Sequence, residues 1–266
     1  MNNMTYYIPM VIMDYIVLTV KRELLMTKII LIIPAYNEAQ NIERLIQRIT
    51  ENYPEYDYII VNDGSTDATY NICKQQKFNV LNLPVNLGIG GAVQAGYLYA
   101  KQNGYQIAVQ IDGDGQHDVA YVKNVIEPIL QGQADVVIGS RFIAKEGFQT
   151  SSSRRFGIRI LSSFIWLCTG KRIYDVTSGF RAVNRNFINI YSVDYPRDYP
   201  EPEALVSAMV YGGKVKEVPV VMKERQGGTS SINLKRSIYY MVKVSLAIFI
   251  RRLSYGVRRS KGDKKK

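Results

Sequence analysis

The sequence predicts an α/β protein with a mostly parallel central sheet and helices on both of its faces. Three observations predict it. Short β-branched runs alternate with segments of helical apolar spacing from Lys28 to Ile138, the rhythm of a parallel sheet covered by helices. The first run, Lys28 to Ile33, is unbroken in its apolar character after the lysine, as in a strand buried on both faces. Each unusual polar loop follows a strand, and in such sheets ligands bind outside the carboxyl ends of the strands.

Taken in order, Pro34-Ala35-Tyr36-Asn37-Glu38 stops the first strand, and Ile42, Leu45, Ile46 and Ile49 then recur at helical spacing. Tyr58 to Val61 reads as a second strand, followed by Asn62-Asp63-Gly64-Ser65-Thr66-Asp67. Ser65 or Thr66 would cap a helix from Asp67 to Gln76. A third strand, Phe78 to Leu81, leads into Asn86-Leu87-Gly88-Ile89-Gly90-Gly91 and a helix to Lys101. A fourth strand ends at Ile111, a helix spans Val119 to Leu130, and Asp135 to Ile138 is the fifth strand. The second half is less regular. It holds an apolar helical face from Arg155 to Cys168, the loop Asp175 to Arg181, a Pro-rich stretch from Tyr195 to Glu203, and a strand from Lys214 to Met222. An amphipathic helix then runs from Ile232 to Leu253.

These elements divide the chain into an extension outside the fold at 1–25, an α/β domain at 26–230, an amphipathic helix at 231–253 and a basic tail at 254–266. Apolar residues make up 47% of the chain, enough for a sizeable core and against global disorder. Cys73 and Cys168 lie far apart without metal-ligand spacing and read as free thiols in a reducing compartment. The net charge of +11 is uneven: residues 251–266 hold eight Lys or Arg against one Asp, which leaves +4 for the rest. Such a tail suits an anionic surface, nucleic acid or phospholipid. No apolar stretch reaches the ~20 residues of a membrane span.

Within Gln110-Ile111-Asp112-Gly113-Asp114-Gly115-Gln116-His117-Asp118, two carboxylates flank one glycine at a strand end. Alternate side chains there point to one side, so Asp112 and Asp114 can converge. Two carboxylates so close repel unless a cation sits between them, and Mg²⁺ is usually held by one or two carboxylates plus substrate phosphates. The bland alternative is an acidic Gly-rich turn. The agreement of Glu38, Asp63, Asn86, Asp112 and Asp114 along one sheet edge argues against it.

Six motifs in order, IPAYNE (33–38), VNDGSTD (61–67), NLGIGGAVQAGY (86–97), QIDGDGQHD (110–118), GSRF (139–142) and DVTSGFRA (175–182), resemble glycosyltransferase family 2 with its GT-A fold, from Lys28 to Leu253. Within it the chain looks like the polyprenyl-phosphate branch, and the Gln-x-x-Arg-Trp motif of processive synthases is absent. The resemblance implies that Pro34, Tyr36, Glu38, Asp63 and Ser65 hold the nucleoside of a nucleotide sugar, while Asn86 and Gly88 let backbone approach it. Asp112 and Asp114 would reach the diphosphate through Mg²⁺ or Mn²⁺, with Gln116 completing the site. Arg141, Ser178 and Arg181 would face the acceptor phosphate or donor sugar, and Arg225 would close over the diphosphate. Each role has a plainer counterpart: Glu38 as a helix cap, His117 as a structural residue, Arg181 as the ion-pair partner of Asp175.

The implied reaction inverts the anomeric carbon and expels a nucleoside diphosphate, whose growing charge a divalent metal and Arg225 would offset. A phosphomonoester acceptor is largely dianionic, with a second pKa of about 6, so it needs less help from a base than a hydroxyl does. If a base exists, Asp175 and Glu203 are the candidates. The expected donor is UDP-glucose or UDP-N-acetylglucosamine and the expected acceptor is undecaprenyl phosphate. The protein would lie peripherally on the cytoplasmic face of the cell membrane. The two amphipathic helices and the tail would meet anionic lipid, and a small integral membrane subunit would supply the anchor that this chain lacks. Nucleic acid is not an expected partner, and a homo-oligomer stays open. Three competitors remain at this stage. One is a family 2 transferase acting on a glycan hydroxyl, and another is a basic adaptor that would not explain the acidic strand ends. The third is a dinucleotide oxidoreductase, whose third fingerprint glycine would fall on Val93.

Overall fold

The computed structural model describes residues 27–144, 146–147, 152–198, 200–223 and 243–250. The extension at 1–25, Arg225, the basic tail and most of the expected helix from Ile232 to Leu253 lie outside the described residues.

The elements begin with β1 (Ile29–Ala35), α1 (Ile42–Asn52), β2 (Asp57–Asn62), α2 (Thr69–Gln75), β3 (Val80–Asn82), α3 (Gly88–Gln102) and β4 (Ile107–Gln110). A 3-10 turn (Val119–Tyr121), α4 (Val122–Leu130), β5 (Val136–Ser140), α5 (Arg141–Ala144) and α6 (Ser152–Thr169) follow. The described chain continues with β6 (Arg181–Asn184), α7 (Arg185–Tyr191), α8 (Pro200–Val210) and β7 (Val215–Pro219), and residues 243–250 are helical. Among the described residues the strands form one seven-stranded sheet in the order β3-β2-β1-β4-β6-β5-β7. Strands β1 to β4 are mutually parallel and β7 runs parallel to β5, whereas β6 is antiparallel to both of its neighbours, β4 and β5.

Strand β6 was not anticipated. Arg181 ends the expected loop from Asp175, because four residues headed by a charge carry almost no strand signature. Burial decides instead: Ala182 and Val183 are enclosed on opposite faces of the sheet. Helices α7 and α8 differ as well, α8 beginning at Pro200 inside the expected Pro-rich stretch. The expected cap of α2 is also different, since Ala68 takes that position without a side-chain bond, while Asp67 Oδ1 accepts the Thr69 N–H at 2.9 Å.

The two cores show why β1 is apolar throughout. Ile30 and Ile32 face the core formed with α3, α7 and α8, while Ile29, Leu31 and Ile33 face the core formed with α1 and α4. Successive strand residues point to opposite faces, so a strand covered on both sides needs no polar positions. Helix α6 buries Ile158, Leu161 and Ile165, and the helix at 243–250 buries Val244 and Ile248 in the same core. Both also present apolar side chains outward: Phe156, Ile160, Trp166 and Leu167 on the first, Leu246, Phe249 and Ile250 on the second.

Helix α3 is pressed against the segment before α8. A Cβ at Gly90 would lie 2.1 Å from the Pro196 carbonyl oxygen and 2.3 Å from that of Arg197. The obstacles are backbone, so Gly90→Ala should destabilise the protein by about 1–3 kcal/mol, read as a lower urea midpoint. A midpoint equal to the parent's would show that the 195–197 segment yields freely.

Candidate active site

The loops after β1, β2, β3 and β4 meet at the carboxyl edge of the sheet. Side chains staple them together. Asn37 takes a left-handed φ of 57°, and its Oδ1 accepts the Thr66 N–H at 2.8 Å. Ser65 Oγ accepts the Asn37 N–H at 3.0 Å, and Thr69 Oγ1 accepts the Glu38 N–H at 2.8 Å. At Gly64, φ is +63° and a Cβ would lie 2.7 Å from the Asn86 nitrogen. Only glycine permits both that conformation and that approach. It brings Asn86 Nδ2 to within 3.0 Å of the Asp63 carbonyl oxygen and lets Asp63 Oδ1 accept the Leu87 N–H at 2.7 Å. Burial raises the Asp63 pKa, and the bonds from Leu87 and Gly88 oppose the rise.

The result is a cleft of about 430 Å³ lined by Pro34, Tyr36, Glu38, Asp63, Asn86, Gly88, Asp112 and Asp114. All eight were expected there from the sequence. Clefts of this size suit ligands of nucleotide dimensions. Tyr36 stands at the rim with 49% of its surface exposed. Ser65 is not part of the lining; its hydroxyl serves the Asn37 staple. Glu38 lines the cleft; the N-cap position of α1 is Asn41 and carries no side-chain cap bond, while Glu38 receives the Ile42 N–H at its carbonyl at 3.0 Å and Asn41 Nδ2 at its Oε2 at 2.7 Å.

Glu201 also lines the cleft and was not foreseen. It follows Pro200 in the first turn of α8, a position that favours acidic residues beside a helix N-terminus. That Pro-Glu start is the signal in the sequence. Burial raises the pKa of Glu201, and the nearby Arg181 charge opposes the rise.

Among the described residues, then, the lining holds five carboxylate side chains and no Lys or Arg. Such a wall repels a diphosphate unless a divalent cation intervenes. Asp112 and Asp114 fit that ion. Their donors are hard oxygens, and Mg²⁺ is usually held by one or two carboxylates plus substrate phosphates. Asp114 is only 8% exposed, and its Oδ1 accepts the Gln116 N–H at 3.0 Å. The Gln116 side chain reaches the Lys223 carbonyl at 3.5 Å.

His117 is structural in this arrangement. Its Nδ1 accepts the Asp112 N–H at 3.0 Å, which assigns the ring proton to Nε2, 3.6 Å from Asp112 Oδ2. The ring stacks on Phe180 at 5.0 Å, and burial pushes its pKa down to about 4. A neutral imidazole thus orients Asp112 from behind.

The arginines expected at the acceptor are not in the cleft lining. Arg141 is bound to Asp175: Nε to Oδ2 at 2.8 Å, a terminal nitrogen to Oδ1 at 2.7 Å, and the backbone N–H to Oδ2 at 3.0 Å. Asp175 is fully buried, which removes it as an accessible base. Arg181 corrects both of its expected roles. It is 2% exposed, and it donates to the carbonyls of Ser178 at 2.8 Å and Val176 at 3.3 Å. It shapes the loop instead of facing solvent. Ser178 Oγ likewise donates inward, to the Gly139 carbonyl at 2.7 Å. That loop reaches the cleft through Gly179, where a Cβ would meet Asp112 Oδ1 at 3.0 Å.

The model of the glycosyl transferase family 2 matches residues 30–190. The chain belongs to glycosyl transferase family 2. Among its relatives is the polyprenol monophosphomannose synthase of Mycolicibacterium smegmatis, 27% identical over 226 residues that cover 81% of this chain and 85% of that one. Another is the UDP-N-acetylglucosamine–dolichyl-phosphate N-acetylglucosaminyltransferase of Methanococcus voltae, 32% identical, covering 72% of this chain and 84% of that one. These relatives are in keeping with the polyprenyl-phosphate branch of the family. The glucosyl-3-phosphoglycerate synthase of Mycobacterium tuberculosis was solved with Mn²⁺, UDP-glucose and phosphoglyceric acid. It superposes with a TM-score of 0.68 at 20% identity over 88% of this chain and 82% of that one. The likeness shows the GT-A fold, and this family 2 chain is a glycosyltransferase.

Proposed function

We propose that this chain transfers a sugar from a UDP-sugar, UDP-glucose or UDP-N-acetylglucosamine, to polyprenyl phosphate at the cytoplasmic face of the cell membrane. The observation that carries the proposal is the convergence of Tyr36, Asp63, Asn86, Asp112 and Asp114 on one acidic cleft. Tyr36 offers an exposed ring for the base. Asp63 and Asn86 offer polar groups to the nucleoside, and the Gly88 backbone approaches the donor closely. Asp112 and Asp114, with Gln116 beside them, would hold Mg²⁺ or Mn²⁺, which would offset charge on the leaving nucleoside diphosphate.

In the reaction an acceptor phosphate oxygen forms a bond to the anomeric carbon from the face opposite the diphosphate. The bond from that carbon to the diphosphate oxygen breaks, and the nucleoside diphosphate leaves with its electron pair. A dianionic phosphate needs no proton removed. Asp175, buried against Arg141, is therefore not missed as a base. The role of Arg225 rests on the family resemblance. The names of the relatives, a polyprenol phosphomannose synthase and a dolichyl-phosphate transferase, support a polyprenyl acceptor.

Among the described residues no helix is long and apolar enough to cross a membrane. The outward apolar residues of α6, bordered by exposed Arg154 and Arg159, suit an interfacial position with the basic side chains at the headgroups. A small membrane subunit would complete the anchorage. A donor panel on undecaprenyl phosphate in anionic vesicles, with Mg²⁺ or Mn²⁺, tests the whole reading. The expected product is labelled lipid that is organic-extractable and labile to mild acid, formed from one UDP-sugar at least about tenfold faster than from GDP-mannose. Label that enters only a glycan hydroxyl would overturn the acceptor assignment.

A further inference from the structure

Outside the cleft, on the flank of the acidic turn, a second set of charges gathers around Asp118. Its Oδ1 accepts from an Arg48 terminal nitrogen at 2.6 Å and from the Ala120 N–H at 3.2 Å, and its Oδ2 accepts from Lys223 Nζ at 2.8 Å. Arg48 belongs to α1, and Lys223 lies four residues beyond the end of β7. Backbone contacts run alongside: the Lys223 N–H donates to the Gln116 carbonyl at 3.0 Å, and His117 pairs with Met222 in an antiparallel bridge. One carboxylate therefore joins three separate parts of the chain at the turn that carries Asp112 and Asp114.

The turn has reason to need such a tie. It contains Gly113 and Gly115, the latter at a φ of +75°, so its own backbone resists movement weakly. Its two carboxylates repel each other in the absence of a cation. The Asp118 side chain is 15% exposed, against 37% for Arg48 and 41% for Lys223. A shielded carboxylate with two cationic partners is a network, which holds geometry better than an isolated surface pair.

We propose that Asp118 is a positioning residue: by binding Arg48 and Lys223 together it holds the acidic turn in the shape that presents Asp112 and Asp114 to a divalent cation. The inference rests on the proposed role of those two carboxylates. Partners of this kind, outside the ligands themselves, commonly set metal affinity by about 10–100-fold.

The test is a Mn²⁺ titration of the full chain with UDP, followed by electron paramagnetic resonance, which needs no turnover. Asp118→Asn keeps the size and loses the charge. It should fold and raise the Mn²⁺ half-saturation about tenfold, and Asp118→Glu should recover most of the loss. A merely structural role would lower the thermal midpoint and leave Mn²⁺ affinity of the folded protein within twofold, and that result overturns the proposal. If Asp118→Asn does not fold, the double variant Arg48→Met, Lys223→Met takes its place, since it leaves the Ala120 cap intact. Parental affinity in that double variant also overturns the proposal. Failure of the unaltered chain to bind Mn²⁺ with UDP would overturn the cation role of Asp112 and Asp114 as well, which separates the two failures.

Discussion

Replacing Asp114 by Asn should leave the fold intact and lower metal-dependent turnover by about 10²–10³-fold. The two effects separate because Asp114 has two tasks. Its Oδ1 accepts the Gln116 N–H at 3.0 Å, and an amide oxygen can accept the same bond, so the turn keeps its shape. The charge is the other task. Among the described residues five carboxylates line the cleft, and Asp114 is one of the two at the strand end where a cation would bridge to a diphosphate. An amide cannot supply the second negative oxygen that makes a divalent ion worth binding there. The measurement is initial rate against Mn²⁺ concentration, with circular dichroism to check folding. Turnover within threefold of the parent at saturating Mn²⁺ would remove Asp114 from the proposed ligand set.

Asp175→Ala should cost about 3–5 kcal/mol of stability, because it strips the buried Arg141 guanidinium of its bidentate carboxylate partner. The pair is well made: three bonds of 2.7 to 3.0 Å run from Arg141 to the two Asp175 oxygens. Asp175 is fully enclosed and Arg141 is 8% exposed, so water can replace little of what is lost. Urea unfolding of the variant measures the cost. The double variant Arg141→Met, Asp175→Leu should recover much of it, since removing both charges removes the desolvation penalty as well. A loss below about 1 kcal/mol for Asp175→Ala would show that Arg141 finds solvent on its own. The same variants bear on function. If Arg141 were needed at the acceptor phosphate, the double variant would fold well and still fail to turn over.

The parts of the site that were legible in the sequence are those fixed by local pattern. A strand end followed by a polar loop is visible within ten residues, and parallel strands put all such loops on one edge. Glu38, Asp63, Asn86 and Asp112 are therefore placed together by the sequence pattern alone. What could not be read was pairing across long separations. Arg141 and Asp175 are 34 positions apart, and nothing in either neighbourhood marks the other as its partner. Arg181 shows the limit most clearly. As a residue type it suggests a phosphate, yet its position on β6, paired with Gln110, turns it into the interior. Glu201 was hidden for the opposite reason: its local sequence is Pro-rich and looks like a loop, whereas it stands in the first turn of α8 and lines the cleft.

The antiparallel strand β6 also governs the order in which the molecule can be built. It lies between β4 and β5, although the chain delivers it only after both. Until residue 184 has been made, β4 has no neighbour on that side and β5 has none linking it to the rest of the sheet. A nascent chain thus carries an apolar strand edge while the following seventy-odd residues, from Ile111 to Asn184, are added, during about 4–15 s of synthesis. Open edges of that kind are templates for unwanted pairing, and contacts of such separation slow folding. The insertion that seats Gly179 against Asp112 makes the acidic cleft one of the last parts of the protein to be completed. A ribosome-bound fragment that stops short of β6 would have its acidic turn in sequence but not yet in place.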